Sequence, residues 1–430
     1  MIIRQKILNQ LISKKHNGQI KIVTGLRRVG KSFLLFELFR SHLVESGISP
    51  DHIVPVVLDD DVNASLRNPL KLSKYIRDKI TDSQMYYVLV DEIQMVKSLT
   101  NPDLEGSDDI IGFEDVLLGL QRIKNVDLYV TGSNSRMLSS EVVTQFRGRG
   151  DEIRVFPLTY KEFYENYDGD KRNAWRDYFT YGGMPYAVLL KSFEEKSKYL
   201  KDLFEHTYIR DILERNRIRG EQSVLDDLLN VISSAIGSLT NPTKLSGTFE
   251  SAKKIKIGAS TISKYLGYFE DAFLIRKSSR YDIKGRKYIG GPLKYYYTDV
   301  GLCNARLNFR QVEENHVMEN IIYNELIERG FCVDVGIVEH SIEKDGKKSR
   351  TQLEVDFVAN NMDRRYYIQS ALHIDDEDKR KQETNSLNRI QESFKKIVVV
   401  KDNIIPWHDE RGILYVGVEQ FLLDEKAMDL

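Results

Sequence analysis

Gly25-Leu-Arg-Arg-Val-Gly-Lys-Ser32 stands between a β-rich run, Ile20 to Thr24, and a helical pattern that starts near Lys31. Its two glycines let the backbone curl so that successive N–H groups turn inward, and the helix that follows adds the positive end of its dipole. A segment built this way holds phosphate oxygens. Strand, glycine loop and helix in that order also form the first half of a βα crossover, and the neighbouring sequence repeats the alternation. Gln19 to Thr24, Ile53 to Leu58, Tyr86 to Val90, Asp127 to Thr131 and Glu152 to Phe156 read as strands set between helical stretches. Parallel pairing needs crossovers, usually helical. Residues 1–165 are therefore expected to form a three-layer α/β domain around a parallel sheet.

The residues of the loop suggest its ligand. Lys31 is placed to bridge the β- and γ-phosphates of ATP, and the Ser32 hydroxyl to join a Mg²⁺ shell. Gly25, Arg28, Val29, Gly30, Lys31, Ser32 and Phe33 are the expected nucleotide contacts. A second piece, Tyr86-Tyr-Val-Leu-Val-Asp-Glu92, is an apolar strand ending in two carboxylates, at the sheet edge where open α/β folds bind ligands. Asp91 is expected to hold Mg²⁺ through water, and Glu92 to orient or deprotonate the attacking water. A third strand, in Leu128-Tyr-Val-Thr-Gly-Ser-Asn-Ser135, ends in small polar residues, of which Ser133 or Asn134 is the candidate to touch the γ-phosphate or that water. Arg149, and second to it Arg147, in Phe146-Arg-Gly-Arg-Gly150, is the candidate finger for a neighbouring subunit's nucleotide.

Bulk composition constrains the rest. At 430 residues the chain exceeds one hydrophobic core, and two or three domains are expected. With 63 basic against 64 acidic residues, any affinity for a polyanion must be local. Cys303 and Cys332 are too far apart in sequence for metal spacing, and read as two packed thiols in a reducing cytosol. No run of about 18 apolar residues occurs, and Met1-Ile-Ile-Arg-Gln-Lys6 turns polar at once, so neither a membrane span nor a signal peptide is expected and the location is taken as cytoplasmic.

Beyond the first domain, residues 166–300 read as mainly helical, with Leu225, Leu228, Leu229 and Ile232 at helical spacing. A helix over Thr261 to Phe273, then β-rich runs at Leu274 to Arg280 and Arg286 to Tyr297, suggests a winged helix-turn-helix. Residues 301–430 return to α/β character. A helix carrying Val317, Ile321, Ile322 and Leu326 precedes strands at Val333 to Val338, Leu353 to Val358, Tyr366 to Ser370 and Lys396 to Val400.

The chain resembles the prokaryotic AAA+ ATPases that join an AAA_14-type P-loop domain to a C-terminal DUF4143 domain. The resemblance rests on Thr24 to Ser32, Val90-Asp-Glu-Ile-Gln94, Thr131 to Ser135, Phe156-Pro-Leu-Thr-Tyr-Lys-Glu-Phe163, Tyr181-Gly-Gly-Met-Pro185 and Leu353-Glu-Val-Asp-Phe357. It implies ATP binding and hydrolysis, a winged-helix segment, and a C-terminal fold like that of restriction-type nucleases. Such nucleases need an acid on a first helix, an acid on a strand, and an acid-x-lysine on the next strand. Glu319 and Asp356 fit the first two places, but Gln369 and Ala371 stand where the second acid and the lysine belong, so a degenerate nuclease is expected unless Lys395 or Lys396 substitutes.

Between Lys253 and Lys294 eleven Lys and Arg face three acids, Glu270, Asp271 and Asp282. Such a local surplus suits a nucleic-acid backbone, with Ser260, Thr261 and Lys264 opening the recognition helix and Arg286 and Lys287 on the wing. Three functions are therefore in view: an ATP-driven switch acting on DNA or a protein, an ATP-gated metal-dependent nuclease, and a DNA-binding regulator with ATP as a structural ligand. A homo-oligomer follows only if the arginine finger works in trans.

Overall fold

The computed structural model describes residues 2–104, 108–132, 148–218, 222–310, 313–344, 347–362 and 364–430. They form two compact units, Met1–Phe156 with Asp271–Phe273, and Pro157–Glu270 with Leu274–Leu430.

The first unit is built on β1 (Ile20–Gly25), β2 (Ile53–Val57), β3 (Tyr86–Asp91), β6 (Val126–Thr131) and β7 (Gly150–Val155), with a small hairpin of β4 (Leu99–Thr100) and β5 (Ile110–Ile111) apart from them. The sheet order is β2-β3-β6-β1-β7, and every pair is parallel. Residues of β1 and β3 are buried throughout, and β3 accordingly reads as an apolar run up to Asp91 rather than as alternation, while β1 carries Lys21 and Thr24 among its apolar residues. The chain moves from β1 outward to β2, then returns through β3 to β6. Right-handed crossovers put the helices of these two legs on opposite faces. Accordingly the helical stretch after β1, residues 31–45, packs with Gln5–Ser13, while Pro69–Lys79 packs with Phe113–Gln121. This reversal opens a crevice at the carboxyl ends of β1 and β6, where the glycine loop lies. Lys21, near the start of β1, is wholly buried and stays there because Asp127 on β6 pairs with it; the Tyr129 hydroxyl donates to the same carboxylate at 2.9 Å. Both charges thus keep partners in a dry interior.

The second unit holds one mixed sheet of eight strands: β8 (Ile275–Asp282), β9 (Lys287–Tyr297), β10 (Cys332–Lys344), β11 (Lys347–Asn361), β12 (Arg364–Ala371), β13 (Lys395–Val400), β14 (Trp407–His408) and β15 (Leu414–Gly417), ordered β14-β15-β13-β12-β11-β10-β8-β9. Helix Glu314–Glu328 packs Val317, Met318, Ile321 and Ile322 into a core that includes Phe357, Ile368, Ile397 and Val399. A separate core gathers Tyr367, Val398, Val400 and Tyr415. Leu225, Leu228, Leu229 and Ile232 are buried on helix Gln222–Ser234.

Two expectations change here. Helix Ala259–Asp271 and the hairpin β8–β9 occupy the stretch read as a winged helix, but β8 pairs in parallel with Val335, Gly336 and Ile337 of β10. The hairpin is therefore the outer pair of the eight-stranded sheet, and residue 300 is not a boundary between sheets. A local pattern shows the hairpin but not a partner strand so far along the chain. Cys303 is buried as expected, whereas Cys332, at the start of β10, is exposed.

The Tyr181-Gly-Gly-Met-Pro185 segment is explained by packing. Asp299, 3% exposed, caps helix Val300–Arg306 through Leu302 N at 3.1 Å and also accepts from Gly183 N at 2.7 Å. A Cβ at Gly183 would sit 2.2 Å from Leu158 O, and one at Gly182 would sit 2.3 Å from the Asp299 carboxylate, so neither position has room for a side chain. Asp299→Ala would leave buried N–H groups unpaired and remove the cap. We expect a loss of about 2–4 kcal/mol, read from denaturant unfolding of the chain.

Candidate nucleotide site

The loop after β1 has the backbone its sequence calls for. Gly25 has φ +136°, and a Cβ there would lie 2.1 Å from Val155 O on β7, so glycine is required by the neighbouring strand as much as by any ligand. Arg28, exposed, takes φ +67°, and Gly30 takes φ +94° before the helical stretch begins at Lys31. Val29 and Leu26 are buried beneath the curl and fix it to the sheet. Lys31 is 5% exposed, and its ammonium donates to Gly25 O and Leu26 O, each at 3.0 Å. A buried ammonium needs such acceptors, and phosphate oxygens brought into the loop would take their place. Ser32 and Phe33 are exposed in the first helical turn.

The two carboxylates lie at the same edge of the sheet. Asp91 closes β3 and is buried; Glu92 follows it in a left-handed conformation, φ 50° and ψ 49°. A non-glycine residue held there is backbone strain of order 1–3 kcal/mol, which the surroundings must fix. Thr131, at the end of β6 and wholly buried, does much of that fixing. Its hydroxyl donates to Asp91 Oδ1 and accepts from Glu92 N at 3.1 Å. The Gln94 side-chain amide donates to the Glu92 carboxylate. Thr131 and Gln94 were not singled out individually in the sequence. The signal for Thr131 is register: Val90 pairs with Val130, so the next residue on each strand, Asp91 and Thr131, come level.

Ser133 and Asn134, the residues read as reaching the γ-phosphate or the water, lie outside the described residues, as does Arg147. Arg149 is exposed at the opposite edge of the sheet: its carbonyl accepts from Ile20 N at 2.9 Å, where β1 begins. Six residues of strand separate that edge from Gly25, about 16 Å at the usual rise. Arg149 therefore does not reach its own chain's loop, and a finger role for it would have to be in trans.

In the second unit, Ser260 and Lys264 are exposed and Thr261 half-buried at the start of helix Ala259–Asp271, and Arg286 and Lys287 are exposed at the hairpin turn, although Arg286 pairs with Glu392 at 3.2 Å. The basic surplus is smaller than its count, because Arg280 and Lys294 are buried in the sheet. Glu319, Asp356 and Gln369 do meet. Gln369 Oε1 accepts from Asp356 N at 3.4 Å, and Glu319 and Asp356 share a neighbour that the sequence did not suggest, Lys294. Neither Lys395 nor Lys396 points there: their ammonium groups donate to the carbonyls of Leu430, at 3.3 Å, and of Ile390, at 2.7 Å.

Residues 17–164 match the AAA domain family AAA_14, a span that takes in the loop, Asp91, Glu92 and Thr131. An uncharacterized protein of Haemophilus influenzae is 32% identical over 405 residues, which cover 93% of this chain and 93% of that protein. The chain belongs to the same family as this protein. An uncharacterized protein of Methanocaldococcus jannaschii is 25% identical over 445 residues, covering 98% of this chain and 89% of its own. Among solved structures, a Walker-type ATPase of Pyrococcus abyssi aligns at 15% identity with a TM-score of 0.48, covering 71% of this chain and 96% of that one. Residues 172–313 match a domain of unknown function, DUF8612, which replaces the DUF4143 assignment that the resemblance suggested. The first unit is thus an AAA P-loop domain with a parallel sheet. No helix among the described residues is long and apolar enough to cross a membrane.

Proposed function

We propose that the chain binds ATP with Mg²⁺ at the loop after β1, hydrolyses it, and works as a nucleotide-driven switch. The observation that carries this reading is the bridge made by Thr131, which holds Asp91 and the backbone of Glu92 together at the edge where the glycine loop and Lys31 lie. The loop N–H groups and the helix start bind the phosphates, and Lys31 exchanges its two carbonyl partners for phosphate oxygens. Mg²⁺, when bound, neutralises charge on those oxygens, and Ser32 and Asp91 are the residues that would hold it. Glu92, its backbone fixed by Thr131 and its carboxylate held by Gln94, orients a water and takes its proton. Ser133 and Asn134 remain the proposed contacts to the γ-phosphate.

The test is phosphate release from ATP by the purified chain. We expect turnover that stops when EDTA removes the divalent ion; equal turnover with and without it would sink the proposal. Thr131→Val should lower turnover about 10–100-fold, because Asp91 and Glu92 lose their shared partner, and should cost about 1–3 kcal/mol of stability. An unchanged rate would mean that Thr131 does not position the carboxylates. For the partner, the exposed cations Lys264, Lys284 and Lys287 support DNA, and turnover measured with and without duplex DNA tests it. A homo-oligomer in which Arg149 serves a neighbour's nucleotide is tested by Arg149→Ala, which should lower turnover in the assembled form.

A further inference from the structure

Inside the second unit, three carboxylates from two elements converge on one ammonium. Lys294 of β9 places Nζ 2.7 Å from Glu319 Oε1, 2.7 Å from Glu354 Oε1 and 3.8 Å from Asp356 Oδ1. Lys294, Glu319 and Asp356 are each less than a tenth exposed, and Glu354 is the one wetter member. The surroundings are organised around these groups. Tyr296 donates to Glu319 Oε1 at 2.6 Å, His316 Nδ1 lies 3.9 Å from Glu319 Oε2, and Ser370 N donates to Asp356 Oδ2 at 2.8 Å. The strand itself is bent to present Asp356. Asp334 pairs with Val358 and Gly336 with Val355, so Asp356 and Phe357 bulge opposite the single residue Val335.

Bringing carboxylates together in a dry interior costs several kcal/mol per charge unless a cation sits among them. Divalent metal sites meet that need with an ion held by oxygen ligands. Here the chain supplies the cation. We propose that the Lys294 ammonium fills the place of a divalent ion between Glu319, Glu354 and Asp356, so that the native cluster takes no metal and removing this ammonium turns it into a divalent-cation site. Burial works against the charge on Lys294, but the acids around it, Glu319 foremost, outweigh it and hold the ammonium protonated above the ordinary lysine range, while burial and the neighbouring Glu319 charge push the Asp356 carboxyl well above its own usual range. This also explains why Gln369 and Ala371 are tolerated at the neighbouring strand: with an internal cation present, neither a further acid nor a further lysine has a task there.

The experiment is Mn²⁺ binding by the full chain without nucleotide, followed by the electron paramagnetic resonance signal of free Mn²⁺. Asp91→Asn is present in every sample so that the first unit's site is silent. Lys294→Met keeps the side-chain length and removes the charge. We expect this chain to bind one Mn²⁺ at least ~10-fold more tightly than the chain that retains Lys294, and the gain to vanish when Glu319→Gln is added. Two results would overturn the proposal: a folded Lys294→Met chain with no gained site, or Mn²⁺ bound by the Lys294-bearing chain and released by Glu319→Gln alone. Should Lys294→Met leave the second unit unfolded, Mn²⁺ must restore the fold, since metal binding then couples to folding. Circular dichroism reads this directly, and a chain that stays unfolded in saturating Mn²⁺ also rejects the idea.

Discussion

Lys31→Ala is expected to reduce ATP turnover at least ~1000-fold and to weaken ATP binding to the point where saturation is not reached. The magnitude follows from where the ammonium sits. It is almost wholly buried and bonded to the two carbonyls that open the loop, so it both shapes the curl and supplies a buried positive charge within it. A preorganised charge in a water-poor site acts on developing phosphate charge without reorganising, and losing one such donor costs on the order of 10²–10³ in rate. Alanine adds a second loss, since Gly25 O and Leu26 O keep no ammonium and the loop loosens. Lys31→Met separates the two effects: it fills the space without the charge, so it should preserve thermal stability better than alanine and still be inactive. A Lys31→Ala chain with normal turnover would place the chemistry elsewhere.

Glu92→Gln is expected to lower turnover about 10²–10⁴-fold while ATP binding stays within a few-fold of the parent. The amide keeps the size of the side chain and cannot take a proton. The backbone of Glu92 is fixed by its left-handed φ and by Thr131, neither of which the change touches, so the fold of the β3 end should persist. This variant also distinguishes the switch from a regulator that uses ATP only as a structural ligand. A hydrolytic cycle should stall with ATP bound, and any DNA or partner response should lock in its ATP-bound form. A regulator of the second kind should respond as before. The measurement is single-turnover hydrolysis beside ATP titration, and loss of both together would count against the role given to Glu92.

What could be read along the chain was whatever depends on neighbours in sequence. The strands around the glycine loop lie within two residues of their expected ends, because buried parallel strands are mostly apolar and the turns between them are rich in polar residues and glycine. Gly30, Lys31, Asp91 and Glu92 stood out because phosphate binding needs a fixed spacing within one segment. Thr131 did not stand out as the pivotal residue, although its strand did. Ser133 and Asn134, just beyond the strand, have the more conspicuous small polar side chains in the sequence, whereas register between strands forty residues apart sets Thr131 level with Asp91. The β8–β9 hairpin has the same character: its two strands are adjacent and legible, while the pairing with β10 that makes it part of a large sheet is not. Lys294 is the extreme case. A lone lysine in Pro292-Leu-Lys-Tyr-Tyr-Tyr297 looks like one of a basic surface until the fold brings Glu319, Glu354 and Asp356 around it.

The account stands on the glycine loop as a grip for a triphosphate, and direct titration tests that most simply. Isothermal titration of the purified chain with ATP in excess Mg²⁺ should give one site per chain with micromolar affinity, lost in Lys31→Ala. Heat changes no larger than those of buffer dilution, in a chain shown to be folded, would contradict it.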